Sequence, residues 1–463
     1  MPISPSDTHD LAVIGAGPAG LAAAVTAADL GLTVALVDAA ARPGGQFYRQ
    51  PAPALGAARP QALHHSWGAF ARRAARLDGH RAAGRVHHFT EHHVWAVTRV
   101  AAHWAVRAVT GPDGAQGRAE VAARKVLLAT GAYERQLPFP GWTVPGVVGA
   151  GGVQAMLKAG LVMPGQRIVV AGSGPLLLAV AGSLAAAGAR VPVVVEAGGY
   201  AGYARAPRTL AANPRKLVEG AAHAATLRRY GVRLRTHSAI TAVHGTDRVE
   251  AVTLTRLDRD WRPVAGTGLR IPCDALAVGH GLVPQLDLAT ALGCATRRCP
   301  DGTAALVLDG RQRTTVEGVW AAGEAGGVGG AELALLEGEV AAYDLAGRAV
   351  GGALLRRRDR LRRFAGAMSA AHAPRPGWSD WLGADTEVCR CEEVTAGRIR
   401  EAVDGLGAGD TRTVKLLTRA GMGWCQGRVC GPAVAHLAGE SETGAGRRLL
   451  ACPVTLGELA REQ

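Results

Sequence analysis

The stretch Leu11-Ala12-Val13-Ile14-Gly15-Ala16-Gly17-Pro18-Ala19-Gly20, followed 18 residues after its last glycine by Asp38, sets the architecture of the chain. Leu11–Ile14 is wholly apolar and reads as a buried parallel strand, and the small-residue run Ala19–Leu30 reads as a helix. Thr33–Val37 then reads as a second strand that ends at Asp38. Gly15 allows the tight turn from strand to helix, and Gly17 leaves room for the backbone to approach a pyrophosphate. Gly20 lets helix and strand pack closely. Pro18 and Ala19 open the helix, whose N-terminus offers free N–H groups and roughly half a positive charge. Asp38 stands where a carboxylate accepts hydrogen bonds from a ribose. Strand, turn, helix and acid together predict a dinucleotide-binding unit.

The same unit recurs about 155 residues further on, at Arg167–Glu196. Strand Ile168–Ala171 leads into Gly172-Ser173-Gly174-Pro175, then helix Leu176–Ala187, strand Val191–Val195 and Glu196. Two such units predict an α/β protein with two dinucleotide-binding domains of the Rossmann type. Leu177 stands where the third glycine is expected, and its bulk should push the helix from the strand. Glu196 suits an unphosphorylated ribose, so NAD(H) is favoured over NADP(H) at this second site. Another adenine nucleotide, or packing alone, would also account for Gly172, Gly174 and Glu196.

The leading position of the first unit favours FAD there. Gly44-Gly45-Gln46 forms a glycine turn suited to running beneath the ribityl chain of a flavin. Strand Val126–Ala129 leads into Thr130-Gly131, and Val319–Ala322 into Gly323-Glu324, so both strands end where a cofactor would lie. A helix beginning near Ala331 would aim its positive end at the electron-rich edge of the flavin.

Eight cysteines are present, four of them clustered as Cys389-Arg390-Cys391 and, after 33 residues, Cys425-Gln426-Gly427-Arg428-Val429-Cys430. Two close pairs on a long connector let two loops converge on one centre, and four thiolates are the ligand set of a [2Fe–2S] cluster. Gly421, Gly423 and Gly427 can turn backbone N–H groups toward the sulfurs. Zinc also accepts four cysteines, although gaps of one and four residues are unusual for it. No cysteine pair follows Gly44-Gly45 and no Cys-x-x-Cys lies in the second unit, so the electron relay of a dithiol–disulfide reductase is missing. Cys294 and Cys299 read as bystanders. The paired histidines His64-His65, His87-His88 and His92-His93 read as polar strands and turns, since no acidic or cysteine partner recurs at ligand spacing.

Composition excludes other classes. Of 463 residues 48% are apolar and 19% charged, the balance of a globular chain. The net charge of +14 is almost wholly arginine, with only four lysines, and the arginines are scattered apart from a run over 356–363. A solvated helix face or contact with an acidic partner explains that run better than nucleic acid does. The charge-free runs Leu11–Ala28 and Ile168–Ala189 are broken by glycine turns and do not read as membrane spans, and no basic segment precedes the first. A cytoplasmic protein is expected. The divisions expected are a FAD domain at 1–150 with its return at 276–350, and a second nucleotide domain at 151–275. A linker or wrapping segment at 351–385, a small α-rich [2Fe–2S] domain at 386–440 and a tail at 441–463 complete the chain.

Several stretches resemble one known group. They are Asp10–Gly20, the Gly44-Gly45-Gln46 turn, Ala129-Thr130-Gly131-Ala132, Pro140-Gly141-Trp142-Thr143-Val144-Pro145-Gly146, and Thr418–Gly423 running into Cys425. The group comprises the α subunits of opine oxidases, of hydroxyproline dehydrogenases and of dye-linked proline dehydrogenases, together with the larger flavoprotein component of hydrogen cyanide synthase. The C-terminal part, with Val394-Thr395-Ala396-Gly397 after Cys391, is also similar to bacterioferritin-associated ferredoxin. The resemblance implies an electron-transfer subunit that assembles with a β subunit of the D-amino-acid-oxidase type, often with a small ferredoxin-like γ subunit. The β subunit would oxidise the C–N bond of an amino acid, imino acid or opine, and this chain would pass electrons on. Two departures stand out: Glu324 replaces the aspartate usual in the group, and Leu177 weakens the second nucleotide site.

Overall fold

Strands His9–Ile14 (β1) and Val34–Val37 (β2) are buried over Leu11–Ile14 and along all of β2, as a central parallel sheet covered on both faces requires. The computed structural model describes residues 8–112, 114, 117–440, 448 and 450–460. Residues 1–7 of the first domain, and 441–447, 449 and 461–463 of the tail, lie outside the described residues. β1 pairs in parallel with β2 on one side and with Gly117–Leu128 on the other. Val86–Phe89 (β3) extends the sheet beyond β2. His92–Val100 (β4) and His103–Thr110 (β5) form an antiparallel meander with Gly117–Leu128 (β6). The strand expected at Val126–Ala129 is therefore the end of a longer one. Its last residues also pair with the returning strand Val319–Ala321, Val126 opposite Val319. The C-terminal ends of β1, β2, β6 and the returning strand thus lie along one sheet edge, the edge at which such sheets bind ligands.

The second unit has its own parallel sheet, in the order Arg233–Thr236, Val193–Glu196, Ile168–Gly172, Ala275–Gly279 and Val147–Gly149. Its outer strands straddle the expected divisions near 150 and 275. A three-stranded antiparallel sheet built from Ser238–His244, Ala251–Arg256 and Leu269–Pro272 lies beside it. The chain crosses between the two domains on Ala132–Glu134 and Leu282–Pro284, which pair antiparallel.

The arginine run belongs to a 20-residue helix, Gly352–Ala371, and much of it is satisfied within the chain. Arg362 Nε donates to Glu337 at 3.0 Å, Arg357 pairs with Glu332 at 2.8 Å, and the buried Arg358 donates to the Gly310 carbonyl at 2.7 Å. The segment after this helix wraps rather than links. Trp378 and Trp381 are buried, and the Trp381 indole N–H donates to the Trp261 carbonyl at 2.8 Å. The small C-terminal domain is α-rich, with one short hairpin, Glu387–Cys389 against Val394–Thr395. Its core runs without a break into that of the second unit, joining Val388, Val414 and Val434 to Val195 and Trp261. The Trp142 indole ties the two by donating to the Glu387 carbonyl at 2.7 Å. Among the described residues no helix is long and apolar enough to cross a membrane.

The first glycine-rich turn is braced from behind by the helix Ala331–Leu345, which packs on Pro18–Asp29 (α1). A Cβ on Gly338 would lie 2.1 Å from the Ala19 carbonyl oxygen, so the two backbones meet where only glycine fits. Gly338→Ala should force them apart and cost about 1–3 kcal/mol, as overpacking does. Chemical denaturation checks it, and an unchanged midpoint would contradict the close approach.

Candidate functional site

At the first turn Gly15 has φ +104°, and a Cβ there would lie 2.4 Å from the Ala129 carbonyl oxygen. A Cβ on Gly20 would fall 1.7 Å from the Gly15 carbonyl oxygen, which is the close helix–strand packing expected of that position. Asp38 accepts hydrogen bonds from the Ala16 amide and, at 2.6 Å, from the Ala40 amide; its burial pushes the carboxyl upward against those bonds. The Gly44 amide donates to the Ala16 carbonyl at 2.8 Å, and a Cβ on Gly45 would reach Gly17 Cα at 2.7 Å. The Gly44-Gly45-Gln46 loop therefore lies against the phosphate turn, with Gln46 exposed beside it. α1 has neither a side-chain cap nor an acidic residue in its first turn, so its leading amides have no side-chain partner. Bare amides, a glycine cradle and a ribose-side carboxylate fit the pyrophosphate and adenosine of FAD.

The opposite wall is built by Thr130-Gly131 and Gly323-Glu324. Thr130 Oγ1 donates to the Gln285 carbonyl at 2.7 Å, and Gly131, at φ +75°, faces open space. The Gly323 amide donates to Glu337 at 3.0 Å. Glu324 turns its carboxylate onto its own loop, accepting from the Gly329 amide at 2.7 Å and the Gly330 amide at 3.1 Å. The extra methylene thus brings the acid to the N-terminus of helix Ala331–Leu345, where it offsets part of the positive end expected to face the flavin.

The second turn is arranged differently. A Cβ on Gly172 would lie 1.7 Å from the Gly279 carbonyl oxygen, so this glycine is required by the neighbouring strand. Helix Leu176–Ala186 starts one residue later, relative to the glycines, than α1 does, and Leu177 is buried. Glu196 is 0% exposed; it accepts from the Gly174 amide at 2.9 Å and the Gly198 amide at 3.1 Å. His372 Nδ1 stands 3.5 Å away, in ion-pair contact. Burial alone would raise the Glu196 carboxyl, but His372 and the two amides hold it below the ordinary range. The end of helix Gly352–Ala371 covers the turn: the Ser173 hydroxyl donates to the His372 carbonyl at 3.3 Å. Ala371 packs on Gly202.

The four clustered cysteines meet. Cys430 lies against both Cys389 and Cys425, and Cys391 against Cys425. The Gly421 amide donates to Cys389 Sγ at 3.4 Å. A Cβ on Gly423 would fall 2.2 Å from Cys391 Cβ, so glycine is what lets the two loops converge. Contact with the Cys430 thiol holds Cys425 at about 4 and Cys389 at about 6, while Cys430 itself is pushed up. Among the described residues no trio of His, Cys, Asp or Glu is set around a single ion, the paired histidines included. Two pairs of thiolates instead suit two irons. The four cysteines line a cavity of about 190 Å³ whose far side is Trp142, Val147 and Gly149, at the edge of the second sheet. Cys294 and Cys299 lie apart from it, and all eight cysteines are free thiols.

The cluster loop is tied to the flavin-binding fold by a buried acid that nothing in the sequence marks. Asp287, 5% exposed, accepts from Arg428 Nε at 2.9 Å and from Arg448 Nη1 at 2.6 Å. Arg428 sits between Cys425 and Cys430 and also donates to the Ala451 carbonyl at 2.7 Å. Asp287 follows Gln285 by two residues, and the Gln285 amide donates to the Gly131 carbonyl at 3.0 Å. One acid thus spans from the sulfur ligands to the wall of the FAD site.

A family profile described as pyridine nucleotide-disulphide oxidoreductase matches residues 9–338, and one described as a BFD-like [2Fe-2S] binding domain matches 387–440. The chain belongs to the pyridine nucleotide-disulphide oxidoreductase family. It is a flavin-dependent oxidoreductase of that family, with FAD as its flavin and a [2Fe–2S] cluster in the C-terminal domain. It is 32% identical over 434 residues to the HcnB subunit of hydrogen cyanide synthase from Pseudomonas protegens, covering 90% of this chain and 89% of that one. It is 35% identical over 441 residues to a subunit of opine oxidase from Rhizobium meliloti strain 1021, covering 93% and 92%. Its fold matches the crystal structure of L-proline dehydrogenase from P. horikoshii with a TM-score of 0.65 at 21% identity, over 98% of this chain and 80% of that one. Within the family this chain keeps the two nucleotide-type domains and replaces the cysteine-pair relay with a cluster.

Asp287→Asn should leave two largely buried guanidinium groups facing a neutral amide. The expected loss is about 3 kcal/mol, the low end for a broken buried pair. Urea unfolding reads the stability and an iron assay the cluster; unchanged values for both would contradict the bridge.

Proposed function

We propose that this chain is the electron-transfer subunit of a heteromeric dehydrogenase acting on a C–N bond of an amino acid, imino acid or opine. D-Hydroxyproline, proline and opines are the candidate donors. Its partners would be a flavoprotein β subunit of the D-amino-acid-oxidase type and a small ferredoxin-like γ subunit. The observation that carries this reading is the Arg428–Asp287–Arg448 bridge, which joins a four-cysteine loop to the wall of the flavin site in one chain. FAD supplies interconversion of two-electron and one-electron chemistry, and the cluster carries single electrons. Gly15, Gly17, Pro18, Ala19, Gly20 and Asp38 would hold the adenosine diphosphate half. Gly45, Gln46, Thr130, Gly131 and Gly323 would flank the rest, and Cys389, Cys391, Cys425 and Cys430 would bind the irons. Glu324 is withdrawn to its own loop and would shape that loop rather than bond the cofactor.

The enclosed second turn supports entry of electrons through a partner rather than from a nicotinamide. Glu196 has no exposed surface for a ribose, and Ala371-His372 covers the turn. We therefore assign Gly172, Gly174 and Glu196 a packing role. This weighs against a self-sufficient NADH-dependent reductase, and electron transfer through two cofactors weighs against a non-catalytic scaffold. Anaerobic addition of D-hydroxyproline, proline or an opine to the co-purified complex should bleach the flavin and reduce the cluster. NADH added to the isolated chain should leave both oxidised. Rapid bleaching by NADH, or silence toward every amine, would contradict the proposal.

A further inference from the structure

Of the four lysines Lys158 alone is buried, at 7% exposed. It sits on a π-helical turn, Met156–Gly160, that continues the helix Ala150–Ala155 of the second unit. Such turns insert an extra residue into a helix and are common at functional sites. Its ammonium leaves the second unit and crosses to the first. Nζ donates to the Phe47 carbonyl at 3.0 Å and stands 5.4 Å from the centre of the Phe47 ring. Phe47 directly follows Gly44-Gly45-Gln46, the loop that lies against the phosphate turn.

A buried ammonium carries three donors and needs either a counter-charge or full hydrogen bonding. Lys158 has one carbonyl partner, and no carboxylate among the described residues pairs with it. Burial alone lowers it to about 8, without any acid holding it up. The same carbonyl is 3.3 Å from His64 Nδ1, and the other ring nitrogen of His64 is buried without a partner. Burial, with Lys158 adding to it, lowers that imidazole to about 4, so it supplies no second cation near neutral pH. Two polar groups with unused hydrogen-bonding capacity therefore converge beside the flavin loop, and the charge they call for is negative.

We propose that Lys158 is a cofactor-facing cation that balances the negative charge a flavin ring gains on reduction. It would do for the flavin what helix Ala331–Leu345 does less well once the Glu324 carboxylate has capped its N-terminus. The inference rests on FAD occupying the first glycine-rich turn.

The test is the flavin midpoint potential of the full FAD-loaded chain, measured by equilibration with redox indicator dyes. Lys158→Met should shift the oxidised/reduced equilibrium about tenfold toward oxidised flavin, or about 30 mV for a two-electron couple. Lys158→Arg should restore most of it. Lys158→Gln keeps a donor for the Phe47 carbonyl without the charge and should behave like Met. Potentials unchanged in Met and Gln variants that retain FAD would overturn the proposal. Loss of FAD in both, with retention in the Arg variant, would also overturn it, since Lys158 would then only hold the loop. Absence of flavin bands from the unaltered chain would instead remove the reading on which the proposal rests.

Discussion

Asp287, paired with Arg428 and Arg448, holds the flavin-binding fold and the cluster domain in a fixed relation. Cofactors exchange electrons only when held close together, and the two here are bound by segments far apart in sequence. Continuity of core packing alone would let the small domain slide along the second unit. Two guanidinium groups on one buried carboxylate fix direction as well as distance, because the fork of each arginine must meet an oxygen edge. Arg428 lies inside the Cys425–Cys430 loop, so the geometry of the sulfur ligands and the position of the domain are set by one group.

The second nucleotide-type unit becomes intelligible from the same viewpoint. Its sheet forms the platform on which the cluster domain rests, through Trp142, Trp261 and Trp381. Its glycine-rich turn is enclosed by the end of the arginine-rich helix and by His372. A fold that serves elsewhere as a dinucleotide site thus acts here as a spacer between flavin and cluster. Leu177 is the local sign of that change. The side chain fills the place where a third glycine would let the helix close on the strand, and the helix starts later as a result.

Much of this was legible in the sequence, because the steric demands behind it are local. Gly15, Gly20 and Gly45 stand where a single methyl group would collide with backbone, and Gly423 does so beside Cys391. Such positions announce themselves by residue type. Convergence of the two cysteine pairs was likewise readable from their spacing. The bridge was not: Arg428 was in view, but its acid lies 141 residues away in sequence and follows no pattern. Glu324 showed the opposite failing. Its position pointed to the cofactor, while the longer side chain reached the amides of Gly329 and Gly330 instead. The arginine run was readable as a helix face, but not its intramolecular partners at Glu332, Glu337 and Gly310. Lys158 was only one of four lysines until folding enclosed it.

A reductive titration of the anaerobically purified chain would show whether flavin and cluster work as one electron path. Optical absorption would follow the flavin and electron paramagnetic resonance the cluster, with FAD and iron assayed in the same sample. The bridged arrangement predicts one FAD and two irons per chain, and a cluster signal that rises as the flavin bands bleach. Zinc in place of iron, or a cluster that stays oxidised while the flavin is fully reduced by a donor of lower potential than both, would contradict it.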